Sequence, residues 1–147
     1  MYLITTVPED ITKKLDVVIN KEHFKKYRYY FGRISAMHKS DEFHLTLQNL
    51  WVNYQSKYEF NPVHVHDGLF SFVIWHKVPY TMKDEKARFP HMKENEIRAG
   101  HFCFLLTNEM GQITDHVIPA DKEWEGKMAL FPANMNHQVY PFYTSDE

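Results

Sequence analysis

With 147 residues, 44% hydrophobic and 16% aromatic, the chain is large enough to bury about 70% of the surface its unfolded form exposes, so neither a metal nor a disulfide is needed to hold one domain together. The 17 basic and 19 acidic residues leave a formal charge of −2, which excludes a global pull toward nucleic acid or anionic membrane. Cys103 is the only cysteine, which excludes an intramolecular disulfide and a cysteine-based zinc site.

The first residues, MYLITTVPED, lack a basic start followed by a long apolar stretch, and no segment approaches ~18 consecutive apolar residues. A cytoplasmic protein without a signal peptide or membrane span is the expectation. Pro8 and the following EDITKKLDVVIN predict a helix, with Glu9 and Asp10 in its first turn and Ile11, Leu15, Val18 and Ile19 along one face. The basic, aromatic KEHFKKYRYYFGR is expected to cover a sheet with snorkelling Lys and Arg side chains. A single-stranded nucleic-acid platform would need a sheet face or groove that nothing nearby announces.

From Glu42 the helical period disappears. EFHLTLQNLWVNYQ, LFSFVIWHKV, HFCFLL, ITDHVI, KMALF and HQVYPFY read as strands, separated by turn signals at Asn61-Pro62, Asp67-Gly68, Pro79, Asn108 to Gly111 and Gly126. Several are apolar on both faces, as in strands packed between two layers. The charged YTMKDEKARFPHMKENEIR between Tyr80 and Arg98 reads as a solvated insertion between strands, or as a lid. The pattern predicts a mainly β fold in one domain, a double-stranded β-helix (jelly-roll or cupin-like barrel). Residues 1–41 would form an N-terminal helical cover and 42–147 the barrel core.

Among ten histidines, His64 and His66 stand out. In an extended chain, residues i and i+2 project to the same face, so both imidazoles reach one ion while Val65 points into the opposite layer. His137, which follows KMALFP and the short loop ANMN, is placed to supply a third nitrogen from a distant strand. Such a facial set leaves coordination positions open for a co-substrate and oxygen. His23, His38, His44, His76 and His91 lack partners at ligand spacing, and His101 and His116 are expected at surface or rim positions of adjacent strands.

The stretch LWVNYQSKYEFNPVHVHDGLFSFVIWHKVPY, with EWEGKMALFPANMNHQVYPFYTSDE and its spacing of Gly126, Phe131, Pro132 and His137, resembles the iron(II)/2-oxoglutarate-dependent oxygenases, in particular a short type known from marine viruses. The resemblance covers about Leu50 to Glu147. It implies a jelly roll holding one Fe(II) through His64, His66 and His137, with 2-oxoglutarate as co-substrate and a location, if viral, in the host cytoplasm. Trp51, Asn53, Tyr54, Phe72 and Trp75 become candidates to line the pocket, Asn53 and Tyr54 beside the co-substrate.

Two departures from that pattern matter. The family's usual triad carries a carboxylate where His66 stands; three imidazoles suit ferrous iron, and Asp67 is the alternative ligand if the Asp-Gly turn twists it back. The family also pairs the far carboxylate of 2-oxoglutarate with a basic residue, usually Arg, about ten or more positions past the distal His. The sequence reads TSDE at that point, expected to be the turn into a last strand that is missing. Lys77, expected on the strand after the His pair, is the best substitute by position, and Arg98 a poorer one. The leading expectation is therefore an Fe(II), 2-oxoglutarate-dependent dioxygenase. A cupin-like metalloprotein that does not use 2-oxoglutarate, and a jelly-roll binding module without turnover, are the alternatives. No membrane or nucleic-acid partner is expected, and the primary substrate stays open.

Overall fold

The computed structural model describes residues 2–4 and 47–146. The expected helix after Pro8, the basic aromatic segment and His23, His38 and His44 lie outside the described residues. The chain divides into two compact units, Met1–Tyr54 and Gln55–Glu147. In the first, β1 (Tyr2–Ile4) pairs antiparallel with β2 (Leu50–Val52), Leu3 facing Trp51. The segment expected to open the barrel therefore contributes a strand to a separate two-stranded pair. Among the described residues no helix is long and apolar enough to cross a membrane.

The second unit is mainly β, with antiparallel sheets. Its strands are β3 (Asn61–His64), β4 (Phe70–Ile74), β5 (Phe102–Thr107), β6 (Ile113–Ile118), β7 (Met128–Pro132) and β8 (His137–Val139). One sheet has the order β3-β8-β5-β6; the other is the pair β4-β7. The two sheets share a single antiparallel ribbon. Asn61 faces Val139 and His64 faces His137 in the first sheet; Phe70 faces Pro132 and Ile74 faces Met128 in the second. Between them the pairing continues through His66 N to Ala133 O (2.8 Å) and Ala133 N to Leu69 O (3.1 Å). Segment 61–74 thus stays paired with segment 128–139 while the ribbon bends from one sheet into the other. Gly68, with φ +99, lies at the bend, where a Cβ is disfavoured.

Alternation decides what fills the space between the sheets. Phe102, Phe104 and Ile118 from the larger sheet meet Phe131 from the smaller, with Val73, Trp75, Ala129 and Val139 packed against them. Phe72, opposite Leu130 in the next register, projects to the other face of β4. Trp75 packs edge-on against Phe102 and Trp124 (ring centroids 5.8 and 5.0 Å apart), so it is a core residue of the interlayer.

The Tyr80–Arg98 segment is more than the expected solvated insertion. It forms helix α1 (Met82–Ala87), started by Thr81, whose Oγ1 accepts from Asp84 N at 3.2 Å, and a 3-10 turn at Glu94–Glu96. Six residues are too few for helical periodicity to show in sequence, but the Thr-x-x-Asp spacing is a capping signal. Glu85 on α1 is 0% exposed. Its two oxygens accept from Tyr143 N, Thr144 N and Thr144 Oγ1, with the backbone contacts at 2.9–3.0 Å. Thr144, the first residue of the TSDE stretch, is therefore docked on a helix. Beside it, Tyr80 stacks on Phe142 (4.9 Å) and donates to Gly100 O at 2.8 Å. A Cβ at Gly100 would stand 2.5 Å from Tyr80 Cε2, so the glycine is sterically required.

Removing the Glu85 acceptor leaves part-buried donors of Tyr143 and Thr144 unpaired. Glu85→Ala is expected to destabilise the fold by about 3 kcal/mol, read as a lowered denaturant midpoint together with faster hydrogen exchange at the amides of Tyr143 and Thr144. Unchanged exchange at those two amides would contradict this account.

Candidate metal centre

The three singled-out histidines come together at the bend of the ribbon. Along residues 63–67, His64 and His66 are half-buried while Val63, Val65 and Asp67 are exposed, the i, i+2 pattern of one strand face. Val65, expected to enter an opposite layer, faces outward with 48% exposure, because β3 is an edge strand and that face is uncovered at this residue. His137 is delivered by β8, directly opposite His64 and, on its other side, opposite Phe104.

Ring centroids lie 4.2 Å apart for His64 and His137, and 5.0 Å apart for His66 and either of the others. One nitrogen from each ring falls within 4.8 Å of the other two. An ion at about 2.0–2.2 Å from each ligand would hold cis nitrogens roughly 3 Å apart, so modest side-chain rotations close the set.

Two of the rings are already aimed. His64 Nδ1 lies 2.7 Å from Pro62 O, and His137 Nδ1 lies 2.9 Å from Met135 O. A carbonyl only accepts, so each Nδ1 carries the proton and each Nε2 keeps its lone pair for a metal. His137, 3% exposed, is further held by aromatic rings. Phe102 stacks on it at 5.4 Å with an 18° tilt, and Phe131 meets it edge-on at 5.0 Å. This apolar wall from β5 and β7 covers one side of His137 and fixes the orientation of its ring.

Burial, followed by the nearby charge of His64, holds His66 below the ordinary imidazole pKa, with Asp67 opposing. His137 is also lowered, chiefly by burial and then by His64 and His66, against the effect of its bond to Met135 O. Both shifts favour the neutral, metal-ligating form. Three neutral imidazoles without a carboxylate suit a borderline divalent ion such as iron, cobalt, nickel or zinc, and the residues fit such an ion.

Of the other sequence candidates in the second unit, Asp67, Lys77 and Arg98 are not brought to the histidines. Asp67 is exposed and outside the cluster. Lys77 is exposed and lies beyond Ile74 and Trp75 at the opposite end of the ribbon, past the end of β4 instead of on it. Arg98 is committed to Asp115 (2.7 Å) and the carbonyl of Asn95. Asn53 and Tyr54 are exposed residues of the first unit, and Trp51 is a half-buried one. Of the remaining histidines, His76, His91 and His116 are exposed. His101 is buried, contrary to the expected rim position, with Nδ1 2.8 Å from Ala99 O. It immediately precedes β5, which lies between β8 and β6, so the entry to that strand is covered from both sides. Sequence reasoning did not pick out the wall of Phe102, Phe104 and Phe131. Their only signal was the alternation in HFCF and the Phe-Pro pair, which does not say which strand will lie beside His137.

No protein-family model, curated protein or solved structure matches this chain.

His66, His101 and His137 are all lowered in the folded state, whereas an unfolded His titrates near ~6.5. As pH falls from above 6.5, the unfolded chain takes up protons before these folded groups do, so stability is lost on acidification. Denaturant midpoints of the metal-free protein should therefore decline between about pH 7.5 and 5.5, and more steeply than those of His137→Phe. A profile identical in the two proteins would show that His137 does not contribute.

Proposed function

We propose that the chain is a mononuclear non-haem Fe(II) oxygenase that uses 2-oxoglutarate to oxidise a C–H bond, built on a small double-stranded β-helix of the jelly-roll kind. The convergence of His64, His66 and His137 at the bend of one ribbon carries the proposal. A two-stranded ribbon folded across two facing sheets is the basic unit of a double-stranded β-helix. The bend is where its strands present side chains inward with coordination positions left open.

When bound, iron with 2-oxoglutarate and oxygen supplies the oxidation, yielding CO2 and succinate. The protein's part is geometry. Pro62 and Met135 carbonyls hold two protons on Nδ1 and so point Nε2 of His64 and His137 at one place. Phe102 and Phe131 immobilise His137 and keep that side dry. His66, on the same face as His64, completes the facial set.

One observation favours a second reading, a cupin-like three-histidine metalloprotein that does not use 2-oxoglutarate. Among the described residues, Arg98 is paired with Asp115 and Lys77 lies past the end of β4, so neither sequence-expected cation stands beside the histidines to receive a far carboxylate.

Anaerobic titration separates the two. Fe(II) followed by 2-oxoglutarate is expected to produce a weak visible metal-to-ligand charge-transfer band in the wild-type protein, whereas Fe(II) binding without that band would select the second reading. His137→Ala should weaken Fe(II) or Co(II) binding by more than about 100-fold, and His116→Ala should leave it unchanged. Given its place at the far end of the ribbon, Lys77→Ala should leave 2-oxoglutarate affinity within about twofold. Absence of metal binding by the wild type would sink both readings.

A further inference from the structure

The pairing of the larger sheet puts a fourth histidine in line with the candidate metal ligands. His64 faces His137, His137 faces Phe104, and Phe104 faces His116. Directly opposed residues of neighbouring strands project to the same face of a sheet, so these four side chains form one row across β3, β8, β5 and β6. Adjacent strands stand about 4.8 Å apart, which puts the His116 backbone about 10 Å from that of His137. His116 lies outside the cluster of converging nitrogens and is exposed at the end of the row, on edge strand β6.

Histidines aside, Asp115 is the only ionised residue in strands β3 to β8. Alternation turns it to the opposite face from His116, where it holds Arg98 at 2.7 Å. Thr114, the neighbour of His116 on the row's face, spends its hydroxyl on Leu106 O (3.4 Å). Among the described strand residues, His116 is thus the one group outside the candidate ligands that can present a positive charge on the face bearing them.

Between the two histidines the row is apolar. Phe104 is buried, its ring edge-on to Phe131 at 4.9 Å and 6.4 Å from the His137 ring. A dicarboxylate matches the three zones in order, with oxygens at the histidine set, methylene carbons beside the phenyl ring and a terminal carboxylate at the imidazole. Extended 2-oxoglutarate, with two methylenes, spans about 10 Å from a chelated metal to a donor hydrogen-bonded to its far carboxylate, which is the spacing of the row. Without a donor, that carboxylate would be desolvated against an uncharged wall at a high cost.

We propose that His116 anchors the co-substrate, a ring N–H of its imidazole donating to the far carboxylate of 2-oxoglutarate. The inference rests on the oxygenase reading above and gives it the anchor that neither Lys77 nor Arg98 supplies. The test is anaerobic titration of the Fe(II)-loaded full chain, read as the charge-transfer band, with 2-oxoglutarate and with 2-oxobutyrate. The second keeps the chelating end and lacks the far carboxylate. His116→Val, which keeps strand propensity and removes the donor, should weaken 2-oxoglutarate binding by about tenfold or more while leaving 2-oxobutyrate within about twofold.

His116→Arg, a bidentate donor of fixed charge, should bind 2-oxoglutarate at least as tightly as the wild type. Iron affinity should be the same in all three proteins, because His116 is not among the ligands. The inference is overturned if the wild type binds both oxo acids equally, if His116→Val weakens both alike or neither, or if His116→Arg binds 2-oxoglutarate no more tightly than His116→Val. A wild-type chain that binds Fe(II) and gives no band with either oxo acid removes the oxygenase reading and the anchor with it, whereas bands that ignore His116 remove the anchor alone.

Discussion

Everything in the second unit depends on one antiparallel pairing, that of residues 61–74 with residues 128–139. Partners separated by 54 residues at Ile74 and Met128 and by 78 at Asn61 and Val139 must close a long loop before any rung rewards them, which makes the ribbon costly to form and decisive once formed. Its register puts His64 opposite His137, and its bend at Gly68 and Ala133 carries the chain from one sheet to the other. A one-residue slip of segment 128–139 would turn His137 to the other face and take Phe131 and Ala129 out of the core with it.

The interlayer core and the histidine set are two uses of the same faces. Phe102, Phe104 and Phe131 fill the space between the sheets and also touch the His137 ring. Packing therefore does part of the work of ligand orientation, and the carbonyls of Pro62 and Met135 do the rest. In both bonds the acceptor lies two residues before the histidine, so a local extended backbone is enough to choose the tautomer. Three imidazoles arranged in this way could hold a metal ion without a carboxylate ligand.

At the other end of β8 the chain leaves through Tyr140 and Pro141, bonded to His101 O and Gly100 N, and then meets Glu85. A carboxyl group 0% exposed would be costly alone, but here both oxygens are occupied by donors, and among the described residues no buried side-chain polar atom lacks a partner. The helix that bears Glu85 thus belongs to the structural frame, tying the segment after β8 to the segment after β4.

Local periodicity was enough to find β5, β6 and β7 within a residue and to find β4, although the apolar run LFSFVIWHKV overshoots its end at Ile74 by four residues, because their apolar runs do not depend on what they pack against. The i, i+2 spacing of His64 and His66 was equally legible, since strand geometry alone puts both rings on one face. Helix α1 was not legible as a whole: six residues carry no period, and Glu85 looks like any other charge in MKDEKA. Nor could sequence decide which aromatics line the site. Phe72 and Phe131 are alike as residues, and only the register of β4 against β7 sends Phe131 inward to His137 and Phe72 to the other face. The sequence by itself determined the chemistry available, three imidazoles at strand spacing and an aromatic β-rich core. Tertiary structure decided their meeting at one point and placed Lys77 and Asp67 outside it, because convergence is set by non-local pairing, which no window of neighbouring residues encodes.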